Sequence, residues 1–272
     1  MEPFTLYVSE HKNEEVVALR DDSGNVYIVE LIDEHIKIKG VGVFNPFNTL
    51  KDTKFGEKII IGTKEFYFIK ASLPERQKGL KRRAQIIQSK DAGLLITKLG
   101  IGSKSKILEA GLGSGGLSIH IQNVIGRHGI HITLEPRSEH SEIGLKNLEN
   151  GIKSGVESGK HIHIEGKIED CVTEITKICE RFDAIILDLP DHSEAISSVA
   201  HLLRPGGRIA CYCPVTSQIE NSWSTCENLG LSVEWAGELI ERTWGRAMKG
   251  GIRPVNGPLG HTAFLLIAVK LN

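Results

Sequence analysis

A glycine-rich loop is the part of this sequence best suited to bind a small molecule. It follows an apolar run and Glu109, and its alternating glycines are Gly111, Gly113 and Gly115. Glycine lets the backbone turn sharply and approach a ligand closely, because it has no Cβ atom. Such a loop between a strand and a helix predicts a nucleotide-binding site. Together with Gly116 the spacing also satisfies the dinucleotide fingerprint, which leaves an NAD-dependent oxidoreductase as an alternative.

Two further carboxylates stand at the ends of later apolar runs. Glu135 follows the run 130–134, roughly 20 residues past the glycines, where an α/β nucleotide-binding fold places the acid that accepts hydrogen bonds from the ribose hydroxyls. Asp188 follows the apolar run 182–187. Ligands of open α/β sheets bind outside the carboxyl ends of the strands. We therefore expect Glu135 and Asp188 to converge on the glycine loop.

The composition is that of a soluble globular protein. The chain has 272 residues, of which 40% are hydrophobic and 25% charged, and its net charge of −1 does not by itself indicate a nucleic-acid binder. No apolar run approaches a membrane span and the N-terminus lacks signal-peptide features, so we expect no membrane association and a cytoplasmic location. The five cysteines lack the spacing of a disulfide framework or a metal site, so no metal is expected.

The hydrophobic pattern divides the chain in two. Residues 1–72 contain short β segments with hairpin turns, which predict a small β-barrel-like domain or sandwich. Residues 73–272 form the second predicted domain, which opens with helical periodicity over 84–99. Its candidate strands are 106–110, 130–135, 161–165, 183–188, 207–213, 231–239 and 262–270. Alternating strands and helices predict an α/β fold with a doubly wound, mostly parallel seven-stranded sheet, which an antiparallel pair of strands closes.

Several segments together carry a resemblance to a known family. They are 83–91, 109–115, 187–190, 212–218 and 253–254 with 260–265. The glycine segment resembles the first motif of S-adenosylmethionine-dependent methyltransferases in general. The whole set resembles the tRNA adenine-N1 methyltransferases, which modify the T-loop at position 58 and, in archaeal members, also at 57. Residues 85–87 and 260–262 make this resemblance specific.

The resemblance implies a class I, Rossmann-like methyltransferase fold, S-adenosylmethionine as the cofactor, tRNA as the substrate and a homotetramer. Asp188 would be the catalytic residue. The residues that would bind the cofactor are Gln85, Glu109, Gly111, Gly113, Ser114, Gly115, Glu135 and Arg137. The residues that would bind the substrate are Tyr212, Arg253 and His261.

Two places depart from the family pattern. Lys167 stands near the position where an aspartate usually contacts the adenine of the cofactor, and Glu169 or Asp170 is a candidate replacement. Many members also carry a tryptophan shortly after the catalytic acid, whereas residues 191–194 read Asp-His-Ser-Glu. The shape of the pocket for the target base is therefore left open.

Two basic clusters are candidates for RNA contact. The first contains Lys78, Lys81, Arg82 and Arg83, and the second contains Arg242, Arg246, Lys249 and Arg253 together with Trp244. Basic side chains contact phosphates and an indole stacks on a base. The alternative for each cluster is a solvated charged face, with the tryptophan packed in the protein.

The favoured hypothesis is a tRNA adenine-N1 methyltransferase. One alternative is a methyltransferase that acts on another substrate, such as a protein carboxylate or a small metabolite. Another is a non-catalytic tRNA-binding paralogue. An intact glycine loop together with Asp188 argues against the paralogue. Residues 260–262 and the basic clusters argue against another substrate.

Overall fold

A computed structural model describes residues 14–83, 85–248, 250–255 and 260–272. The strands are Val16–Arg20 (β1), Val26–Glu30 (β2), Ile36–Ile38 (β3), Gly42–Phe44 (β4), Lys58–Ile61 (β5), Lys64–Lys70 (β6), Lys106–Ala110 (β7), Ile130–Leu134 (β8), Lys160–Ile164 (β9), Phe182–Leu187 (β10), Leu203–Cys213 (β11), Ser232–Gly237 (β12), Trp244–Arg246 (β13), Ile252–Pro254 (β14) and Phe264–Val269 (β15). The helices are Pro46–Leu50 (α1), Leu73–Lys78 (α2), Ser89–Leu99 (α3), Ser118–Ile125 (α4), Ser138–Lys153 (α5), Val172–Ile178 (α6), Ser193–Val199 (α7) and Thr216–Asn228 (α8). None of these helices is long and apolar enough to cross a membrane.

A seven-stranded sheet forms the centre of the larger, C-terminal part. Its strand order is β12-β15-β11-β10-β7-β8-β9. The strands from β11 to β9 pair in parallel, whereas β15 runs antiparallel to both of its neighbours. The predicted α/β sheet and its closing antiparallel pair are therefore confirmed. The order reverses between β7 and β10, which is where open α/β sheets bind their ligands.

Apolar side chains cover both faces of this sheet. On β10, Ile185 and Leu187 point into a cluster with residues of α6, α7 and α8, whereas Ala184 and Ile186 point into a cluster with residues of α3 and α4. Successive residues of a strand face opposite sides, so a strand covered on both faces reads as a continuous apolar run. This burial fixes the register of β10 and hence the position of the residue that follows it, Asp188.

The first helix of this part is shorter than its periodicity predicts. The helix predicted over 84–99 begins only at Ser89, and residues 85–88 are not helical. The reason is a contact with the glycine loop, since a Cβ atom on Gly116 would lie 2.6 Å from Cβ of Ile86. Ile86 and Ile87 are buried there. The segment therefore lies across the loop instead of continuing the helix.

The N-terminal strands form an open antiparallel sheet of order β2-β1-β6-β5 and a separate hairpin, β3–β4. Both predicted hairpins, β1–β2 and β5–β6, are confirmed. Among the described residues β2 and β5 are the edges of this sheet, so its strands do not close into a ring. The division of the chain at residue 72 stays a prediction; it falls between β6 and α2.

Ion pairs join the N-terminal sheet to the larger part. Glu30 on β2 accepts hydrogen bonds from Lys146 and Lys153 on α5, and Glu149 pairs with the same two lysines. The hydrogen bonds that Lys153 donates to Glu30 and Glu149 raise its pKa. The pairs are partly exposed, so they orient the two sheets more than they stabilise the fold.

Candidate active site

The glycine loop adopts a backbone that requires glycine. Gly111, Gly113 and Gly115 have φ angles of 94°, 50° and 75°, in the region that residues with a Cβ atom rarely adopt. Space is also limited, because a Cβ atom on Gly111 would lie 2.2 Å from the backbone oxygen of Asp188. The Asp188 N–H in turn donates to the Ala110 carbonyl at 2.9 Å. The loop and the acid are therefore in direct backbone contact.

One cavity collects six of the nine residues predicted to be catalytic or to bind the cofactor. Its lining includes Gln85, Glu109, Gly111, Gly113, Ser114 and Asp188, together with the apolar side chains of Ile86, Ile87, Leu112 and Leu117. The predicted convergence of the glycine loop and Asp188 is thus present in the structure. Gly115 lies in the same loop, and Glu135 reaches it from the neighbouring strand by accepting a hydrogen bond from Gly113 N–H at 3.0 Å.

Glu109 is buried and its carboxylate has partners within the protein. Ser118 Oγ donates to Glu109 Oε2 at 2.8 Å, and Nε2 of the fully buried His131 lies 2.8 Å from the same oxygen. Gln122 Nε2 lies 3.1 Å from His131 Nδ1. With Gln122 as donor, His131 carries its proton on Nε2 and donates to Glu109. Glu109 therefore fixes the start of α4, directly behind the glycine loop.

Glu135 is 1% exposed, and its carboxylate forms an ion pair with Arg137. Arg137 Nε donates to Oε1 at 2.7 Å and its Nη2 donates to Oε2 at 3.2 Å. Burial acts to raise the pKa of Glu135, but the hydrogen bonds from Arg137 and from Gly113 N–H outweigh burial and hold that pKa below its usual 4.5. Glu135 is therefore ionised near neutral pH, with a half-exposed arginine as its partner.

Asp188 has an environment that opposes its ionisation. Burial, followed by the negative charges of Glu109 and Glu135, raises its pKa from 3.8 to about 7, against the opposing charge of Arg137. Such a shift in a cavity is typical of a group with a chemical role. The carboxylate at the end of β10 therefore changes charge near neutral pH.

The segment before α3 is fastened to the glycine loop by polar contacts. Ser114 Oγ accepts a hydrogen bond from Arg83 N–H at 3.1 Å. The buried Asn147 on α5 donates to the carbonyl oxygens of both Ser114 and Lys81 at 2.9 Å. The first basic cluster therefore lies next to the cavity, and Lys78, Lys81, Arg82 and Arg83 are all exposed.

The three residues predicted to bind substrate do not line this cavity. Tyr212 is 7% exposed in the core, where burial and the neighbouring Asp91 and Asp188 raise its pKa to about 12. His261 Nδ1 lies 2.8 Å from Glu238 Oε2, and its Nε2 lies 3.2 Å from the Pro214 carbonyl oxygen. Arg253 is exposed on β14. Their substrate contacts stay predictions.

The second basic cluster lies on a hairpin that the sequence did not predict. The segment between the last two strands of the sheet, β12 and β15, contains the β13–β14 hairpin. Arg242, Arg246, Arg253 and Trp244 are exposed there, the indole by 63%, whereas Lys249 lies outside the described residues. Lys167 and Asp170 are exposed on the turn that follows β9. Exposure leaves all of these side chains accessible to a ligand.

Sequence reasoning missed the residues that support the loop. Ser118, His131 and Asn147 hold the loop or its acid, yet none belongs to a recognised motif. A signal for His131 was present, because it alternates with Thr133 and Glu135 along β8 and so shares their face of the sheet. Asn147 gave no comparable signal, since a polar residue in a helix is ordinarily exposed.

The comparisons with known proteins place the chain in a family. Residues 65–249 match the family described as the tRNA methyltransferase complex GCD14 subunit. The match covers more than half of the chain, which therefore belongs to this family.

Two relatives have tRNA methyltransferase names. The chain is 29% identical over 220 residues to tRNA (adenine(57)-N(1)/adenine(58)-N(1))-methyltransferase TrmI of Methanocaldococcus jannaschii, with 75% of this chain and 78% of that protein covered. It is also 29% identical over 193 residues to tRNA (adenine(58)-N(1))-methyltransferase TrmI of Thermus thermophilus, with 69% of this chain and 70% of that protein covered.

Two solved structures share the fold. The TrmI tRNA (m1A58) methyltransferase of Aquifex aeolicus matches with a TM-score of 0.69 and 23% identity, covering 97% of this chain and 100% of that one. A SAM-dependent O-methyltransferase of Thermotoga maritima matches with a TM-score of 0.79 and 24% identity, covering 100% of this chain and 98% of that one. At these identities the likeness establishes the class I methyltransferase fold alone.

The residues around the cavity are chemically suited to S-adenosylmethionine, the cofactor of this fold. Gly111 has no room for a Cβ atom and leaves its backbone open to a ligand. Glu135 is a buried, ionised carboxylate at the end of β8, where the ribose diol of an adenosyl group is held in α/β folds. The loop therefore needs no phosphate to explain its glycines.

We predict that Gly111→Ala abolishes the site. The new Cβ atom would overlap the Asp188 backbone, so both the loop and the acid must move. The expected result is a loss of about 3 kcal/mol of unfolding free energy or more, together with at least about a tenfold loss of S-adenosylmethionine affinity. Calorimetry and thermal unfolding measure both quantities.

Gly93→Ala is the matched control. Gly93 lies within α3 and a Cβ atom there meets nothing within 4 Å. Alanine favours a helix over glycine, so this variant is expected to gain about 0.5 kcal/mol of stability and to bind the cofactor as the wild type does. Equal behaviour of the two variants would contradict the proposed packing of the loop.

Proposed function

We propose that this protein transfers a methyl group from S-adenosylmethionine to N1 of an adenine in the T-loop of tRNA. Position 58 is the leading target and position 57 a second candidate. The proposal depends on one observation: Asp188, an acid with a raised pKa, lines the same cavity as a methyltransferase-type glycine loop. Membership of the family and the names of the relatives from Methanocaldococcus and Thermus support the choice of tRNA and of adenine N1.

The chemistry requires little of the protein beyond position and charge. Adenine N1 has a free lone pair at neutral pH, so no strong base is needed to create the nucleophile. Attack of N1 on the methyl group would form the bond from N1 to carbon while the sulfur–methyl bond of the cofactor breaks. The electron pair of that bond would stay on sulfur as a neutral thioether, and the positive charge would pass to the base. In its ionised form, Asp188 accepts a hydrogen bond from the exocyclic N6 amine and stabilises this charge as it develops. Asp188 is the catalytic residue of this scheme.

The cofactor supplies the sulfonium methyl group that is transferred. The open backbone of the loop from Gly111 to Gly115 would hold its methionine and ribose parts, and Gln85 lines the same cavity. Glu135 would accept hydrogen bonds from the ribose hydroxyls. In this structure Arg137 donates to both oxygens of that carboxylate. Its side chain is half-exposed and would turn towards solvent to leave those oxygens free for the ribose hydroxyls.

The basic clusters are proposed to hold the RNA. The exposed residues Lys81, Arg82 and Arg83 lie across the glycine loop. Arg246 and Trp244 are exposed on the β13–β14 hairpin. Cations at these places would contact phosphates, and the indole would stack on an unpaired base. The target adenine must leave its stack to reach Asp188, at a cost of a few kcal/mol.

We also propose a homotetramer in the cytoplasm. Exposed apolar side chains on the β13–β14 hairpin and after it support a contact between subunits, since Ile252 is 70% and Val255 56% exposed. All five cysteines are buried and free. Free thiols are typical of a reducing compartment.

Incubation with labelled S-adenosylmethionine and an unmodified tRNA transcript tests the function. We expect label on N1 of a T-loop adenine, located by nuclease digestion and mass spectrometry. Asp188→Asn is expected to retain cofactor binding and to transfer about 100-fold more slowly, because the charge that stabilises the cationic base is lost. Glu180→Gln, which changes an exposed acid before β10, serves as the control.

Three results would overturn the scheme. No transfer to adenine N1 in any tRNA would refute the assigned reaction, and binding of tRNA without transfer would favour the non-catalytic paralogue. Normal turnover in Asp188→Asn would remove that residue from its role.

The reaction is expected to depend on pH through Asp188. Its pKa is raised to about 7, and only the carboxylate stabilises a cation. Consequently kcat/KM for S-adenosylmethionine, which reports the free enzyme, should rise with pH, reach half of its plateau near pH 7 and level off at higher pH. This limb should be absent from the residual activity of Asp188→Asn; an unchanged profile in that variant would assign it to another group.

A further inference from the structure

An arm extends from the edge of the main sheet. It comprises residues 240–260, of which 240–248, 250–255 and 260 are described, and it leaves the sheet after β12 and returns before β15. It carries the β13–β14 hairpin with Trp244 and Arg246. Nothing in its hairpin pairing determines how the arm is placed against the glycine loop. Its placement depends on the residues at its two ends.

Two adjacent cross-links close the base of the arm. Glu238, before the arm, pairs with His261, after it, at 2.8 Å. The second cross-link uses the residues that follow Glu238 and His261 in the chain. Lys90 Nζ donates to the Leu239 carbonyl oxygen and to Thr262 Oγ1, both at 2.7 Å. Lys90 therefore holds both ends of the arm at once.

Lys90 lies at the centre of a polar cluster that is largely buried from solvent. Its side chain is 9% exposed and that of Asp91 is 1% exposed, and Nζ donates to Asp91 Oδ1 at 2.7 Å. Thr262 Oγ1 accepts from Lys90 and donates to Asp91 Oδ2 at 2.9 Å. All three N–H groups of the ammonium and both carboxylate oxygens are thus used. A buried ion pair is weak evidence that a protein is stabilised. The more informative property of this pair is that its hydrogen bonds fix the positions of the groups they join.

The residues just before Lys90 in the chain line the cofactor cavity. Lys90 is the second residue of α3, and the segment just before it carries Gln85 and Ile86, which line the cavity that contains Asp188. Gln85, Ile86 and Lys90 also line a second cavity, together with Glu241 at the start of the arm. The arm and the cofactor-lining segment thus face each other across one space.

We propose that Lys90 is a positioning residue for methyl transfer to RNA. Through Leu239 and Thr262 it fixes the arm relative to the segment 85–90, so that RNA held by the arm meets the edge of the sheet that carries Asp188. Lys90 acts through these groups and touches neither the cofactor nor the reacting base. The role in RNA presentation rests on the proposed function, whereas the clamp on the arm stands on the contacts of Lys90 alone.

A pair of substitutions at Thr262 tests the clamp. Thr262→Val keeps the shape of the side chain and removes the hydroxyl, while Thr262→Ser keeps the hydroxyl. In Thr262→Val we expect faster amide hydrogen exchange within 240–255, cofactor affinity within about twofold of wild type, and a rise of about tenfold in KM for tRNA with a smaller change in kcat. Thr262→Ser should restore wild-type values of all three.

Unchanged exchange of the arm in Thr262→Val would overturn the clamp. Faster exchange throughout the chain, with parallel losses in cofactor affinity and kcat, would show a merely structural role and would also overturn the proposal. A wild-type protein that transfers no methyl group would refute the proposed function instead. The exchange comparison between the two Thr262 variants needs no RNA and still decides whether the clamp exists.

Discussion

The site depends on a contact between two backbones at the centre of the sheet. Asp188 N–H donates to the Ala110 carbonyl, and the Asp188 carbonyl oxygen occupies the space that a Cβ atom on Gly111 would need. Because β7 and β10 remain paired up to this point, the loop after one strand and the acid after the other open into the same cavity. The buried apolar faces of β10 hold the register that makes this contact possible.

Charge is the second constraint on the site. Two carboxylates, Glu109 and Glu135, lie close enough to Asp188 to raise its pKa, and Arg137 offsets only part of their effect. Glu109 remains in the interior because Ser118 and His131 both bond to it. A cavity with this balance is suited to a cationic cofactor and to a base that becomes cationic. In the proposed reaction such a site would stabilise the charge that develops on the base, and no strong base would be needed.

The sequence predicted the main sheet and the residues at its carboxyl edge, because hydrophobic runs and glycines act locally. Asp188 was found from its position at a strand end, and Glu135 from the same kind of position together with its spacing of roughly 20 residues from the glycines. The start of α3 was missed, since periodicity continues through residues that instead pack on Gly116. The contacts of Lys90 with Leu239 and Thr262 were also missed, because they join residues far apart in the chain and follow no local pattern.

The central claim is that neighbouring carboxylates and burial tune Asp188 for its role. Carbon-13 NMR titration of the Asp188 carboxyl group, in the cofactor-free protein and in Glu135→Gln, measures this tuning directly. The expected midpoint is about 7 in the wild type, and it should fall in the variant because one neighbouring negative charge is removed. A wild-type midpoint near the ordinary 3.8, or a midpoint that the variant leaves unchanged, would contradict the account.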